Sequence, residues 1–323
     1  MTGQKRYFAG DIGSNAIKAR AVEIEGVMRR TLVDTRYPIR LGTAAFNDGR
    51  LDQKQIGAAA AAFQEIGAAM RGLGPCVSRI VATSAVREAV NSAELIKAVA
   101  AQADVRIEII CGADEARLLA LGARPDMTPN VRNMLIDIGG GSTELIYTRA
   151  DLSLDSAHSL RLGAVRLHQM VSPGNPVTPD QFMRLEREIA NVLHEARLTP
   201  APHPANAIGA AGTMCAILGA RRARDMSLIR PCSSVFVRAC PCSPRNTITF
   251  RELDDMICAL REMTIGQMRE QMGIDSERAS IIVPGALIAR GLMKLHSLES
   301  IQVTAHDLRD GLIAAMIAAD ATL

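Results

Sequence analysis

A chain of 323 residues is longer than one ordinary hydrophobic core supports, which predicts two domains. With 48% hydrophobic and 22% charged residues it is not a disordered chain, and a net charge of +3 means that a polyanionic partner must be met by a local basic groove rather than a basic tail. Aromatic residues make up 3% and Trp is absent, which argues against binding a nucleic-acid polymer by base stacking.

The first β-prone run, Tyr7 to Asp11, ends in the turn Gly13-Ser14-Asn15. Two more strand-like runs follow, Ala16 to Glu25 and Met28 to Ile39, with Gly26 as the hairpin turn, and the third closes on Arg40-Leu41-Gly42. Gln53 to Arg71 reads as an Ala-rich helix, Arg79 to Ala82 as a strand and Ser92 to Ala101 as a helix. Ile107 to Ile110 is then a strand and Asp114 to Ala123 a helix. The opening pattern returns at Asn133 to Asp137, with the turn Gly139-Gly140-Gly141-Ser142, the runs Thr143 to Thr148 and Leu152 to Leu160, and the ending Arg161-Leu162-Gly163. Two copies of Asp-Ile-Gly, each opening a three-strand meander that closes on Arg-Leu-Gly, indicate an internal duplication. Thr178 as N-cap with Pro179 at the first helical position predicts a helix to about Ala196. A strand at Ala205 to Gly209 and a helix at Thr213 to Arg222 follow. This alternation predicts α/β domains with mixed sheets, residues 1–125 and 126–323, with a ligand cleft between them. The final helix, about 307–323, is expected to pack back on the first domain.

Pro231 to Arg245 breaks the rhythm. Its Cys232, Cys240 and Cys242 fit no zinc spacing, so a loop is the better reading. Seven scattered cysteines, with only a polar stretch before the first strand, point to a reducing cytoplasm. The apolar run Ile281 to Ala289 is too short to span a bilayer, so no membrane role is expected.

Each Asp-Ile-Gly turn places a carboxylate at a strand end beside glycines, whose backbone N–H groups can form an anion-binding concavity. Ser14, Asn15, Ser142 and Thr143 add polar donors. Asp11 and Asp137 repel phosphate, so their natural task is to hold a hard cation or its waters, and Mg²⁺ favours one or two carboxylates together with phosphate oxygens. Two facing turns would clamp a phosphate chain from both sides. Read alone, Arg87 is either a phosphate fork or a surface ion-pair residue. Glu115 is either a general base or ordinary acidic dressing of a helix start, and Glu144 is a residue on the second hairpin that can face solvent.

These pieces, in this order, resemble the exopolyphosphatase and guanosine pentaphosphate phosphohydrolase (Ppx/GppA) family of the actin-like ATPase superfold. The matching segments are Asp11 to Asn15, Ala82 to Ala89 with Asn91, Gly112 to Leu118, Asp137 to Leu145, Leu162 to Leu167, Ile282 to Leu287 and Asp307 to Gly311. The resemblance implies two related ribonuclease H-like domains flanking an interdomain cleft. It places the catalytic glutamate on Glu115, magnesium-linked acids on Asp137 and Glu144 with Asp11 assisting, and catalytic duty on Glu144 as well. Phosphate contacts fall on Ser14, Asn15, Arg87, Gly139, Gly140, Gly141 and Ser142. It implies Mg²⁺ as cofactor, inorganic polyphosphate or guanosine penta- or tetraphosphate as partner, and a two-lobed enzyme compatible with a homodimer. Gly209 to Thr213 resembles the turn that holds the nucleoside in the ATPases, with fewer glycines. Ala16 departs from the family's usual Ser, and the chain lacks the extra helical domain of longer members, which predicts a preference for shorter chains or nucleotides, or lower processivity. An ATPase or kinase of the same superfold, and a non-catalytic guanosine tetra- or pentaphosphate sensor, remain as alternatives.

Overall fold

The computed structural model describes residues 4–198, 204–228 and 246–321; the Cys/Pro-rich stretch 231–245 lies outside the described residues. The first sheet opens with an antiparallel meander, β1 (Lys5–Ile12), β2 (Ile17–Glu25) and β3 (Met28–Tyr37). After helices α1 (Gly42–Asp48) and α2 (Gln53–Leu73), strand β4 (Val77–Ala82) joins β1 in parallel. Helices α3 (Ser84–Glu88) and α4 (Ser92–Ala103) lead to β5 (Ile107–Ile109), parallel to β4, and then to α5 (Gly112–Ala123). The sheet order is β3-β2-β1-β4-β5.

A single 3-10 turn, Arg124–Asp126, connects to the second sheet. Its meander is β6 (Asn133–Ile138), β7 (Thr143–Thr148) and β8 (Leu154–Leu160). Helices α6 (Ala164–Val171) and α7 (Pro179–Glu195) precede β9 (Asn206–Ala210), which is parallel to β6. Then come α8 (Ala211–Leu228), β10 (Thr247–Thr249), α9 (Phe250–Glu262), α10 (Ile265–Met272), α11 (Ser276–Leu295), β11 (Ser300–Val303) and α12 (Leu308–Asp320). Read from β8, the order is β8-β7-β6-β9-β11-β10. The first sheet's order is therefore repeated, with β10 added at the edge. This is the α/β fold with two related halves expected from the sequence.

The ends of the elements follow local chemistry. Thr178 and Gln181 form the capping box that starts α7, with Pro179 in the first turn. Equivalent boxes start α9 at Thr249 and α10 at Thr264. Helix α12 begins on Asp307, returns to the first half and packs against α5 and β1. Tyr7 and Ala9 of β1, Leu119 of α5 and Leu312 of α12 share one buried cluster. Among the described residues no helix is long and apolar enough to cross a membrane.

The structure extends some expected elements, such as Tyr7 to Asp11, Gln53 to Arg71 and Thr213 to Arg222. It shortens others, so that Met28 to Ile39 ends at Tyr37, Ile107 to Ile110 ends at Ile109 and Leu152 to Leu160 begins at Leu154, and it adds α1, α3 and α6, to which the sequence reading assigned no helix. Between residues 246 and 306 that reading assigned no element; the structure places β10, α9, α10, α11 and β11 there.

Candidate active site

Both Asp-Ile-Gly turns close in the same way. Gly13 N donates to Ala16 O at 3.1 Å, and Gly139 N donates to Ser142 O at 2.9 Å. The two turns meet face to face. A Cβ added to Gly140 would lie 3.1 Å from Ser14 Cβ and 3.2 Å from Asn15 N, and one on Gly141 would lie 2.7 Å from Ser14 Oγ. An added carbon would press on the facing turn at Gly140 and collide with the side chains of Phe46, Ser84 and Ser14 at Gly141, so glycine keeps the approach open. Residues that follow each meander hold the turns: Gly42 N donates to Ser14 O, Arg40 N to Asn15 O, and Val165 N to Gly140 O.

Between the turns lies a cavity of about 100 Å³. Asp11, Ser14, Asn15, Glu115, Asp137 and Gly139 to Ser142 line it. Most of the expected site residues are thus brought together. Two stand behind its wall. Arg87 Nη1 donates to the Glu115 carboxylate at 3.2 Å and to Ile110 O at 2.7 Å. Glu144 is buried in β7, where it pairs across the sheet with Asp137 and accepts from Ser159 Oγ at 2.8 Å. Glu144 does not face solvent, because β8 flanks β7 and α5 packs against it.

The electrostatics are those of crowded buried acids. Burial pushes Glu115 up to about 7; Arg87 opposes the shift, and the nearby Asp11 and Asp137 add to it. Asp137 is also raised to about 7, first by burial and then by Asp307 and Asp11, against the pull of Lys18. Asp11 is raised mainly by burial, and Glu144 well raised by burial and by its neighbours Glu115 and Asp137. One ammonium sits among them: Lys18 Nζ is 3.7 Å from Asp11 and 3.6 Å from Asp307.

The residues fit a hard cation. Asp137 Oδ1 is buried without a hydrogen-bond partner, and so is Asn15 Oδ1 in the facing turn. No cluster of three or more His, Cys, Asp or Glu arranged as metal ligands occurs among the described residues. Mg²⁺ does not require one, since it commonly takes one or two carboxylates and completes its shell with phosphate oxygens and water.

Several residues of this site carry no assigned role in the sequence reading. Lys18 lines the cavity, yet in β2 it alternates with apolar residues as a surface lysine would. Arg166 is buried; its Nε donates to Gly141 O at 2.8 Å, and its guanidinium lies 4.0 Å from the centre of the Phe46 ring. Asp307 accepts from Arg309 N and caps α12 while its carboxylate faces Lys18 and the Arg309 guanidinium. The signal available for the last two was their place inside the segments Leu162 to Leu167 and Asp307 to Gly311.

Burial alone would raise Asp307, but Lys18 and Arg309 outweigh it and hold the carboxyl well below the usual range. A group depressed in this way contributes stability above its unfolded pKa of about 3.9 and loses it as pH falls through the folded value. Asp307→Asn is expected to lower the unfolding free energy at pH 7 by about 3 kcal/mol, the scale of breaking a buried pair. The gap between variant and parent should narrow below about pH 4. Thermal unfolding at several pH values checks both; a gap that is constant with pH would sink the assignment.

The sequence model of the Ppx/GppA phosphatase family matches residues 21–319. The chain belongs to that family. Among its Ppx/GppA relatives is exopolyphosphatase 1 of Mycobacterium leprae, 29% identical over 307 residues, covering 94% of this chain and 87% of that protein. The corresponding protein of Mycobacterium tuberculosis is 28% identical over the same length. The crystal structure of an exopolyphosphatase from Cytophaga hutchinsonii superposes with a TM-score of 0.84 at 20% identity, covering 98% of both chains. That of the Aquifex aeolicus Ppx/GppA family member gives 0.76 at 20% identity, covering 98% of this chain and 99% of that one. These solved structures share the fold of this Ppx/GppA chain over nearly its whole length.

Proposed function

We propose that this chain hydrolyses the terminal phosphoanhydride of inorganic polyphosphate. The observation that carries the proposal is the pair of matched turns facing each other across one cavity, with the Glu115 carboxylate in its wall. The names of the curated relatives favour polyphosphate as substrate. Guanosine pentaphosphate offers the same terminal bond, and the assay below separates the two.

In this reading backbone N–H groups of residues 13–15 and 139–142, with Ser14, Asn15 and Ser142, hold the terminal phosphate. Glu115 orients a water and takes its proton. The water oxygen bonds to the terminal phosphorus, and the bridging oxygen leaves with its electron pair on the shortened chain. Arg87 holds the Glu115 carboxylate toward the cavity. Asp137, with Asp11 and with Glu144 behind it, would hold Mg²⁺, which supplies charge neutralisation at the phosphate oxygens. Closing of the two halves, proposed as domains 1–125 and 126–323, would exclude bulk water.

Phosphate release from polyphosphate and from guanosine pentaphosphate, each with and without Mg²⁺, tests the proposal. Release from polyphosphate that requires Mg²⁺ is the expected result; ATP turnover alone, or tight nucleotide binding with no release, would replace it. Since Glu115 must be ionised to accept a proton and lies near 7, kcat/KM is expected to fall as pH drops below about 7 and to level off above it. The limb belongs to the coupled pair of Glu115 and Glu144 rather than to one residue. A rate flat from pH 5.5 to 8.5 would count against Glu115 as the base.

A further inference from the structure

A second cavity, of about 580 Å³, is lined by Arg87, the hydrogen-bond partner of Glu115, and by the start of the helix that carries Glu115. Arg87, Arg161 and Arg166 line it with a single carboxylate, Glu88, and with Phe46, Gly112 and Ser159. Four of its wall residues support the active site. Arg87 holds Glu115, and Gly112 is the first residue of the helix that carries it. Ser159 donates to Glu144, and Arg166 donates to Gly141 O of the second turn. Glu88 gathers two of the arginines: Arg161 and Arg166 both donate to it, as does Ser84 at 3.0 Å. Arg87 is paired with Glu115, so the cavity sets Arg161 and Arg166 against the one carboxylate Glu88 and keeps a positive charge in excess, and the planar guanidinium matches phosphate oxygens in pairs. Arg161 is the least committed of the three, with its side chain 77% exposed.

We propose that this arginine-lined cavity is an orthophosphate site, through which the cleaved phosphate leaves while the shortened chain stays in the main cleft. The inference rests on the hydrolytic reading above and goes beyond it. In-line attack puts the water and Glu115 on the side of the terminal phosphorus opposite the bridging oxygen. The departing chain therefore occupies the rest of the main cleft, whose wall carries Arg36 and Arg278. A free phosphate on the Glu115 side would have to pass the remaining chain to leave that way. The second cavity meets Glu115 through Arg87, which lines it and holds that carboxylate, and its arginines carry the opposite charge to phosphate. A separate exit lets the shortened chain keep its place between cuts.

The test is equilibrium dialysis of the full chain against radiolabelled orthophosphate at low ionic strength. The parent protein is expected to take up two phosphates, one between the turns and one in the arginine cavity. Arg161→Glu should lose one of them, its affinity falling at least tenfold. Arg149→Glu, which reverses an exposed arginine just past β7, should keep both. Uptake of one phosphate by the parent, or uptake unchanged in Arg161→Glu, would overturn the proposal. With polyphosphate, Arg161→Glu is expected to form phosphate at the parent rate in quenched samples. Free phosphate, read by a phosphate-binding sensor, should appear about tenfold more slowly. Equal rates of formation and appearance in that variant would remove the exit role. If the parent forms no phosphate from polyphosphate, the hydrolytic reading fails by itself, and the dialysis still decides whether the cavity binds phosphate.

Discussion

Glu115→Gln is expected to lower turnover on polyphosphate by about 10²–10⁴-fold while substrate binding is kept, the usual contribution of a positioned general base. Glu115 is 7% exposed and lines the cavity beside both turns, and Arg87 fixes its carboxylate from behind. Glutamine keeps the shape and can still accept a hydrogen bond from Arg87, but it cannot take the proton of water. Removing a buried acid next to Asp11 and Asp137 also relieves repulsion. The variant should therefore be at least as stable as the parent, and binding of an anionic substrate should not weaken. Steady-state turnover, polyphosphate binding and thermal unfolding, measured on one preparation, separate these effects. A variant that turns over at the parent rate removes Glu115 from the chemistry. One that has lost binding and folding together assigns it a structural role instead.

The parts of the site that could be read from the sequence are those in which local chemistry and repetition agree. Asp11 and Asp137 each follow an apolar strand and precede glycines, and the structure gives both turns the same closing hydrogen bond. Glu115 was not distinguishable by pattern, since Asp114 and Glu115 in a first helical turn look like any complement to the helix dipole. Resemblance to a family pointed to it. Lys18 stayed hidden because strand alternation assigns it to the surface; only the return of α12, with Asp307 at its start, turns that face into the floor of a cleft. Glu144 was read as able to face solvent for the same reason, and α5 packed on β7 decides otherwise. Tertiary cover of a strand's second face cannot be seen from the strand.

The helices after residue 246 were illegible for a different reason. Helix α9 does carry an apolar stripe, Leu253, Met256, Ile257 and Leu260, all buried. Helix α11 does not. It is apolar on nearly every side from Ile281 to Ala289 and has Pro284 inside it, so neither periodicity nor propensity marks it. Its burial among α6, α7, α8, α9 and α10 explains the composition: a helix enclosed by neighbours has no polar face to display.

Gly311→Ala is expected to cost about 3 kcal/mol or more of stability, at or beyond the upper end of overpacking in a core. A Cβ at Gly311 would lie 1.8 Å from Leu118 O and 2.5 Å from Leu118 C. One at Gly122 would lie 2.7 Å from Gly311 N and 2.9 Å from Asp307 O. Helices α5 and α12 thus cross backbone against backbone, and no side chain can rotate away to make room. One added methyl must push the helices apart. That shift moves Glu115, three residues before Leu118 on α5, and Asp307, four residues before Gly311 at the start of α12. A displacement of about 1 Å at such positions can cost roughly 10²-fold in rate, so activity should fall even at temperatures where the variant is fully folded. Gly57→Ala provides the contrast. That glycine lies in α2 with nothing within 4 Å of the added carbon, and the change should stabilise the chain by about 0.4–1 kcal/mol with turnover unchanged. Denaturant unfolding and turnover of the two variants, side by side, decide the matter. If alanine at 311 is as harmless as alanine at 57, the close crossing is not what sets the position of the glutamate.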